Sequence, residues 1–278
     1  MKSQAEKAEE FRALHNRKRI LVLPNAWDVP SARVFEDEGF PAVATSSAGL
    51  MVSLGYPDGE AIPMREFITA TARIANVLSV PLSADVVGGF GRKTTEVVGT
   101  VRQIIDVGAV GINIEDFVHE SKVLVPAQSQ VEKIVQLKAL SKSLKIPFVI
   151  NARTDALRYA QGDDQAKMEE AIHRGALYRD AGADCLYPMG LFDPQQISVY
   201  VKALDFPINV MVRKGLPSVP ELQRLGVARV SFGPSASYAA MGLLKRASRE
   251  VLDKGTYQTL LDGAISFDEL NLLASRRQ

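Results

Sequence analysis

Eight short apolar runs recur along this chain of 278 residues, at 20–24, 42–46, 81–85, 110–115, 148–151, 184–188, 208–212 and 229–233. Each leads into a polar or small-residue turn. Amphipathic stretches of helical period lie between them, as at 29–38, 64–77, 94–107, 130–144, 165–181 and 194–204. The runs read as continuously apolar, as strands covered on both faces do. Strands alternating with helices specify a parallel α/β sheet. Four helical stretches end on a glycine (Gly39, Gly108, Gly182 and Gly226) and a strand begins within a few residues. Glycine there can take the left-handed conformation that closes a helix. Eight such units fit a closed (β/α)8 barrel, or TIM barrel, better than an open doubly wound sheet. Barrels of this kind run to about 250 residues as one unit, and no Pro-, Gly- or Ser-rich linker divides the chain. Residues 1–278 are therefore expected to form one barrel domain. The tail, about 235–278, keeps a helical pattern for longer than the one helix needed to finish a barrel, so part of it is expected to pack on a partner subunit.

Composition narrows the function classes. The net charge is +1 with 23% charged residues, which leaves no electrostatic footprint for nucleic acid or an anionic membrane. No stretch approaches the ~18 uncharged apolar residues of a spanning helix, and the charged first 19 residues lack a signal-peptide core. The single cysteine, Cys185, excludes an intrachain disulfide and a Cys-clustered zinc site. It lies inside a strand run, where a small core residue is the plain reading. A cytoplasmic protein without nucleic-acid or membrane partners is expected.

The chemistry of a barrel gathers at the C-terminal ends of its strands. Those ends carry Asn25 and Asp28, then Ser46, Ser47 and Ala48, then Asp85, then Asn113, Glu115 and Asp116. Further along come Asn151, Arg153 and Asp155, Tyr187, and Asn209 with Met211. Carboxylates concentrated in this way suit a hard cation such as Mg²⁺, or Mn²⁺ in its place, held by one or two of them with substrate and water completing the shell. Arg153 would fork onto a substrate carboxylate; alternatively it pairs with Glu115 or Asp155. His119 lies in the loop after the fourth strand and reads either as an acid–base group or as a solvent-exposed loop histidine. His15 and His173 fall in helical patterns and read as surface groups.

Seven stretches, in order, carry a family resemblance: Leu23-Pro-Asn-Ala-Trp-Asp28, Ala44-Thr-Ser-Ser-Ala-Gly49, Ser53-Leu-Gly-Tyr-Pro-Asp-Gly59, Ser83-Ala-Asp-Val-Val-Gly-Gly-Phe-Gly91, Asn113-Ile-Glu-Asp116, Asn151-Ala-Arg-Thr-Asp155 and Arg229-Val-Ser-Phe-Gly-Pro234. Over nearly its whole length the chain resembles the isocitrate lyase/phosphoenolpyruvate mutase superfamily. The resemblance implies an α/β barrel whose last helix is exchanged between paired subunits of a homo-oligomer, dimer or tetramer. It also implies a Mg²⁺-bound enolate of a pyruvate-like acid, formed as a C–C or C–P bond is cleaved or made. On this reading the backbone of Ser46, Ser47 and Ala48 binds a small carboxylate substrate, Asp58, Asp85 and Glu115 surround the metal, and Arg153 grips the substrate. Asp58 sits in a Tyr-Pro-Asp-Gly turn, so a purely structural role stays open for it.

Three departures shape the expectation. Ser83 stands where the family has the first aspartate of an Asp-x-Asp metal pair. The loop 117–125, Phe117-Val-His-Glu-Ser-Lys-Val-Leu-Val125, lacks the cysteine of the lyases' Lys-Cys-Gly-His stretch. Ala44 replaces the aromatic of the mutase pocket. The chain is thus placed with the branch of 2-oxo-acid decarboxylases, phosphonopyruvate hydrolases and malate-type lyases. Arg153, Glu115 and His119 are its catalytic candidates, and the 46–48 turn, Arg153 and Asn209 its substrate contacts. A non-catalytic descendant that binds a small anion is the alternative. A phosphate-sugar barrel enzyme ranks last, because Met211-Val-Arg-Lys-Gly215 and Phe232-Gly-Pro234 are only loose matches to a phosphate turn.

Overall fold

The computed structural model describes residues 2–275. The chain runs α1 (Gln4–Ala13), β1 (Leu21–Leu23), β2 (Asn25–Ala26), α2 (Val29–Asp37), β3 (Val43–Thr45), α3 (Ser47–Ser53), α4 (Met64–Ala75), β4 (Leu82–Asp85), α5 (Thr94–Asp106) and β5 (Gly111–Glu115). A hairpin of β6 (Phe117–Val118) and β7 (Val123–Leu124) follows, then α6 (Ala127–Leu144), β8 (Val149–Thr154), α7 (Ala156–Tyr159), α8 (Asp164–Asp180), β9 (Cys185–Pro188) and α9 (Pro194–Leu204). The last elements are β10 (Asn209–Met211), α10 (Val219–Arg224), β11 (Arg229–Ser231), α11 (Ser235–Lys254), α12 (Gln258–Leu261) and α13 (Phe267–Ser275).

All eight expected strands form, with boundaries shifted by a few residues. Strands β2, β3, β4, β5, β8 and β9 make one parallel sheet, and β1, β11 and β10 another. Pro24, which has no N–H to donate, parts the first strand. Its first half pairs with β11 and its second with β3. On the other side the bridge between Leu186 and Ile208 links β9 to β10. The sheets close on each other as a ring of eight parallel staves, an α/β arrangement consistent with a TIM-type barrel. The four expected turn glycines, Gly39, Gly108, Gly182 and Gly226, have φ of 84°, 110°, 105° and 86°, the left-handed region that a side chain would strain. Asp28, a candidate strand-end residue, caps α2 by accepting the Ser31 N–H at 2.8 Å.

The staves are buried on both faces, yet above the layer that meets α1 only the outward face is apolar, which corrects the reading of the runs as continuously apolar. Side chains alternate across a strand. Val43, Leu82, Ala84, Ile112, Ile114 and Ile150 point outward into one apolar cluster, and Leu186, Ile208, Val210 and Val230 into a second. Residues of the other parity, among them Ser83, Asn113, Asn151, Asn209, Arg229 and Ser231, are buried polar groups facing the lumen.

A polar lumen needs a stopper, and α1 supplies it. Ala8 and Phe11 pack against Leu21, Leu23, Ala42, Ala44 and Val149, side chains at or near the starts of the staves. The Gln4 amide donates to the carbonyls of Ile105 (2.6 Å) and Ala109 (2.9 Å), and Arg12 pairs with Asp184 at 2.7 Å. His15, expected at the surface, is buried beside Phe11 with ring centroids 5.0 Å apart. Burial holds its pKa down to about 4. His173 is exposed as expected.

The long tail folds as three helices rather than one, and its last residues, 276–278, lie outside the described residues. Helix α11 buries only Ser237 and Ala247, while Tyr238, Met241, Leu243, Leu244 and Leu252 are exposed. Helix α13 returns to pack on α2. Among the described residues no helix is long and apolar enough to cross a membrane. Phe11→Ala is expected to lower the unfolding free energy by about 3–5 kcal/mol, measured by urea denaturation with an unchanged slope. A loss below about 1 kcal/mol would show that α1 is not part of the cooperative fold.

Candidate active site

The end of the ring opposite α1 holds a cavity of about 330 Å³. Its wall includes Ser46, Ser47, Ala48, Asp58, Asp85, His119, Arg153 and Asn209, so the structure brings together all of the candidate site residues except Glu115, which lies behind the wall.

Asp85, at the end of β4, is held by neutral donors. The Asn113 amide donates to Oδ1 at 2.9 Å and the Ser47 N–H to Oδ2 at 3.2 Å. Asn113 is itself fixed by Asn151, whose amide donates to its Oδ1 at 2.8 Å. Of the 46–48 turn, Ser46 donates its N–H to the Ala26 carbonyl and caps α3 through Oγ. With the Ser47 N–H on Asp85, the turn leaves the N–H of Ala48, one of the first-turn donors of a helix that have no acceptor inside it, at the cavity wall.

Arg153 and Glu115 face each other across the β5–β8 ladder. Glu115 Oε2 meets Arg153 Nη1 at 2.6 Å, and Oε1 lies 2.5 Å from His119 Nε2. Arg153 is gripped a second time by Asp155, Nε to Oδ2 at 2.6 Å and Nη2 to Oδ1 at 3.0 Å, and its guanidinium lies 5.9 Å from the centre of the Tyr187 ring. Burial pushes the Glu115 carboxyl up, while Arg153 and then His119 pull it back. The flanking carboxylates more than offset the burial of Arg153 and raise its pKa. His119 is raised above the ordinary imidazole value of 6.5, first by its hydrogen bond to Glu115. It is half-buried, not a free loop histidine, because β6 carries it back over the cavity. Phe117, two residues before it, stacks on Tyr159 at 4.2 Å. A Cβ on Gly59 would stand 3.1 Å from the Cβ of His119, so the Asp58-Gly59 turn can approach the imidazole only without a side chain there. Asp116 takes no part in the cavity: it accepts from Tyr178 at 2.6 Å and pairs with Arg174 at 3.0 Å, which braces the base of the hairpin.

The expected metal ligands are not gathered as a set. Glu115 is engaged by Arg153 and His119, and Asp58 is an exposed residue at the rim. Among the described residues no group of three or more His, Cys, Asp and Glu side chains is disposed to hold an ion. What remains suits a cation held by one carboxylate with water and substrate oxygens: Asp85, with the unpartnered buried oxygens of Ser83 and Asn151 in the same wall. Sequence reasoning passed over Arg158, Tyr159, Tyr238 and Arg229, which also line the cavity. For Arg229 a signal existed, since it shares the parity of Ser231 and Gly233 on a strand whose alternate residues face inward.

Residues 11–252 match the phosphoenolpyruvate phosphomutase family. The chain belongs to it. It is 31% identical to the 2,3-dimethylmalate lyase of Eubacterium barkeri over 95% of this chain and 92% of that one. To the 2-methylisocitrate lyase of Aeropyrum pernix it is 29% identical, covering 91% and 82% of the two chains. Among solved structures, oxaloacetate acetylhydrolase in complex with oxalate superposes with a TM-score of 0.85 at 26% identity, covering 98% and 95%. The chain is thus an enzyme of the isocitrate lyase/phosphoenolpyruvate mutase superfamily.

A histidine whose folded pKa is raised contributes stability in full below its free value, and that contribution is lost as the pH rises through the folded value. The imidazole of His119 is therefore expected to titrate above 6.5 by NMR, and Glu115→Gln to move its midpoint down. An unmoved midpoint would mean that the His119–Glu115 contact does not persist in solution.

Proposed function

We propose that the protein is a Mg²⁺-dependent lyase that cleaves a C–C bond of a small 2-oxo or 2-hydroxy acid through an enolate. The observation that carries this reading is the pairing of two unlike halves in one cavity. On one side stands Asp85, a carboxylate held by neutral donors. On the other stand Arg153, Glu115 and His119, a cation and a proton carrier locked together. Names among the relatives, a lyase of dimethylmalate and a hydrolase of oxaloacetate, support small organic acids as substrates.

Asp85 would hold the metal ion, and the unpartnered Ser83 and Asn151 oxygens of the same cavity wall would be the neutral acceptors on offer to its shell. When bound, Mg²⁺, or Mn²⁺ in its place, supplies an electrophile that polarises the substrate oxygen and stabilises an enolate. The other steps fall to the chain's own groups. The Ala48 N–H and the outer hydrogens of Arg153 orient the substrate carboxylate. Glu115 fixes the His119 ring through Nε2, leaving Nδ1 as the ring nitrogen free to exchange a proton with the substrate. Asn209 borders the same space. The hairpin, closed by the Phe117–Tyr159 stack, limits water at the reacting centre.

Assay of the purified protein against a panel of such acids is expected to show turnover with Mg²⁺ that chelation abolishes. Asp85→Asn should lower it by about 10²–10³-fold, the scale of losing one electrostatic catalytic group. Oxalate, an enolate mimic, should bind tightly in calorimetry only when Mg²⁺ is present. No turnover across the panel, together with oxalate binding that ignores metal, would leave only an anion-binding descendant of the family.

The same reading includes a homo-oligomer with α11 exchanged or covered between subunits. Its support is the row of exposed apolar side chains Met241, Leu244 and Leu252 on a helix following the eighth stave. Light scattering is expected to give a dimer or tetramer, and Met241→Asp with Leu244→Asp to shift it to monomer; a monomeric wild type would end this part of the reading.

A further inference from the structure

Of the arginines that line the cavity, Arg153 and Arg229 stand in opposite electrostatic states. Arg153 meets Glu115 and Asp155 through all three of its nitrogens, so its charge is already answered. Arg229, on the eighth stave, is 2% exposed, and its Nε and Nη1 find no hydrogen-bond partner. Asp85 is the carboxylate whose charge reaches it, and both Asp85 oxygens already accept from Asn113 and Ser47. Burial of a guanidinium with open donors is costly unless an anion meets them, and arginine stays charged at neutral pH.

The surroundings repeat the pattern. Asn209, beside Arg229 in the β10–β11 register, gives its amide N–H to Ser231 Oγ at 3.2 Å and keeps Oδ1 unpartnered. Asn151 gives its amide to Asn113 and also keeps Oδ1 free. The same cavity wall thus offers two open guanidinium donors for a carboxylate oxygen and two neutral acceptors for a hydroxyl group or a bridging water.

We propose that Arg229 is a second anion subsite at the floor of the barrel, which takes the distal carboxylate of the ligand while the 46–48 turn and Arg153 hold the proximal one. The cavity then selects dicarboxylates by reaching down the barrel axis, and the uncompensated positive charge that attracts them belongs to Arg229. This rests on the proposed small-acid site, but its test is a binding ratio that does not depend on turnover.

Calorimetry on the full chain would compare succinate with butyrate, which match in length and differ by one carboxylate. Succinate is expected to bind at least about 30-fold more tightly, and Arg229→Met to weaken succinate by about 100-fold, the scale for truncating one partner of a buried charge pair, while butyrate changes by less than about 3-fold. Arg229→Lys should restore part of the preference. Equal affinities in the wild type, or equal losses of both acids in Arg229→Met, would overturn the proposal. The wild-type comparison decides it even where a variant fails to fold. Absence of turnover with a preserved succinate preference would end the lyase reading and leave the subsite standing.

Discussion

The structure depends on a constraint set by the period of two along its staves. Apolar residues of one parity are spent outward, against the helices, so the lumen is left to Ser83, Asn113, Asn151, Asn209, Arg229 and Ser231. Barrels of this architecture commonly fill their interior with branched apolar side chains. Here the polar interior leaves groups that must be satisfied by one another, by water or by a ligand. It also demands a separate apolar stopper below, which α1 provides through Ala8 and Phe11. The cavity and the stopper are two results of the same alternation.

Above the lumen, the Glu115–Arg153–Asp155 cluster sets the geometry of the mouth. Each of these charges would be expensive to bury alone; together with the half-buried His119 they form a chain in which every carboxylate has a cationic neighbour. Such a cluster is a rigid support more than a source of stability. Removing one member strands the others, whereas Asp85, tied only to neutral donors, keeps its charge available to whatever enters the cavity. The division between an answered and an available set of charges organises the site.

Much of this was legible in the sequence. The eight runs and the four turn glycines specified the staves and their connections, and seven of the nine candidate site residues came from reading the strand ends, with His119 from the loop after the fourth strand and Asp58 from the family resemblance. The gaps have physical causes. Short runs such as Gly111–Glu115 alternate isoleucine with small or polar residues, but their burial on both faces hides that alternation from a purely apolar reading. Arg153 was left between gripping a substrate and pairing with Glu115 or Asp155, because Glu115 is distant in sequence and adjacent to it only across the β5–β8 ladder. His15 looked exposed because the helical pattern before it has no apolar stripe wide enough to announce that its end plugs a ring. Arg229 was counted only as a strand residue, since nothing local to it states that no carboxylate will stand opposite.

The seams of the ring have a mechanical consequence. Pro24 hands the first strand from one sheet to the other, and the opposite junction is the bridge between Leu186 and Ile208. The barrel is therefore laddered as two curved plates that meet at Pro24 and at the single Leu186–Ile208 bridge. One plate carries Asp85, Glu115 and Arg153; the other carries Asn209, Arg229 and Ser231. A molecule touching both plates acts as a rivet, so occupancy of the cavity would be felt as slower amide exchange along the seams, far from any atom the ligand contacts.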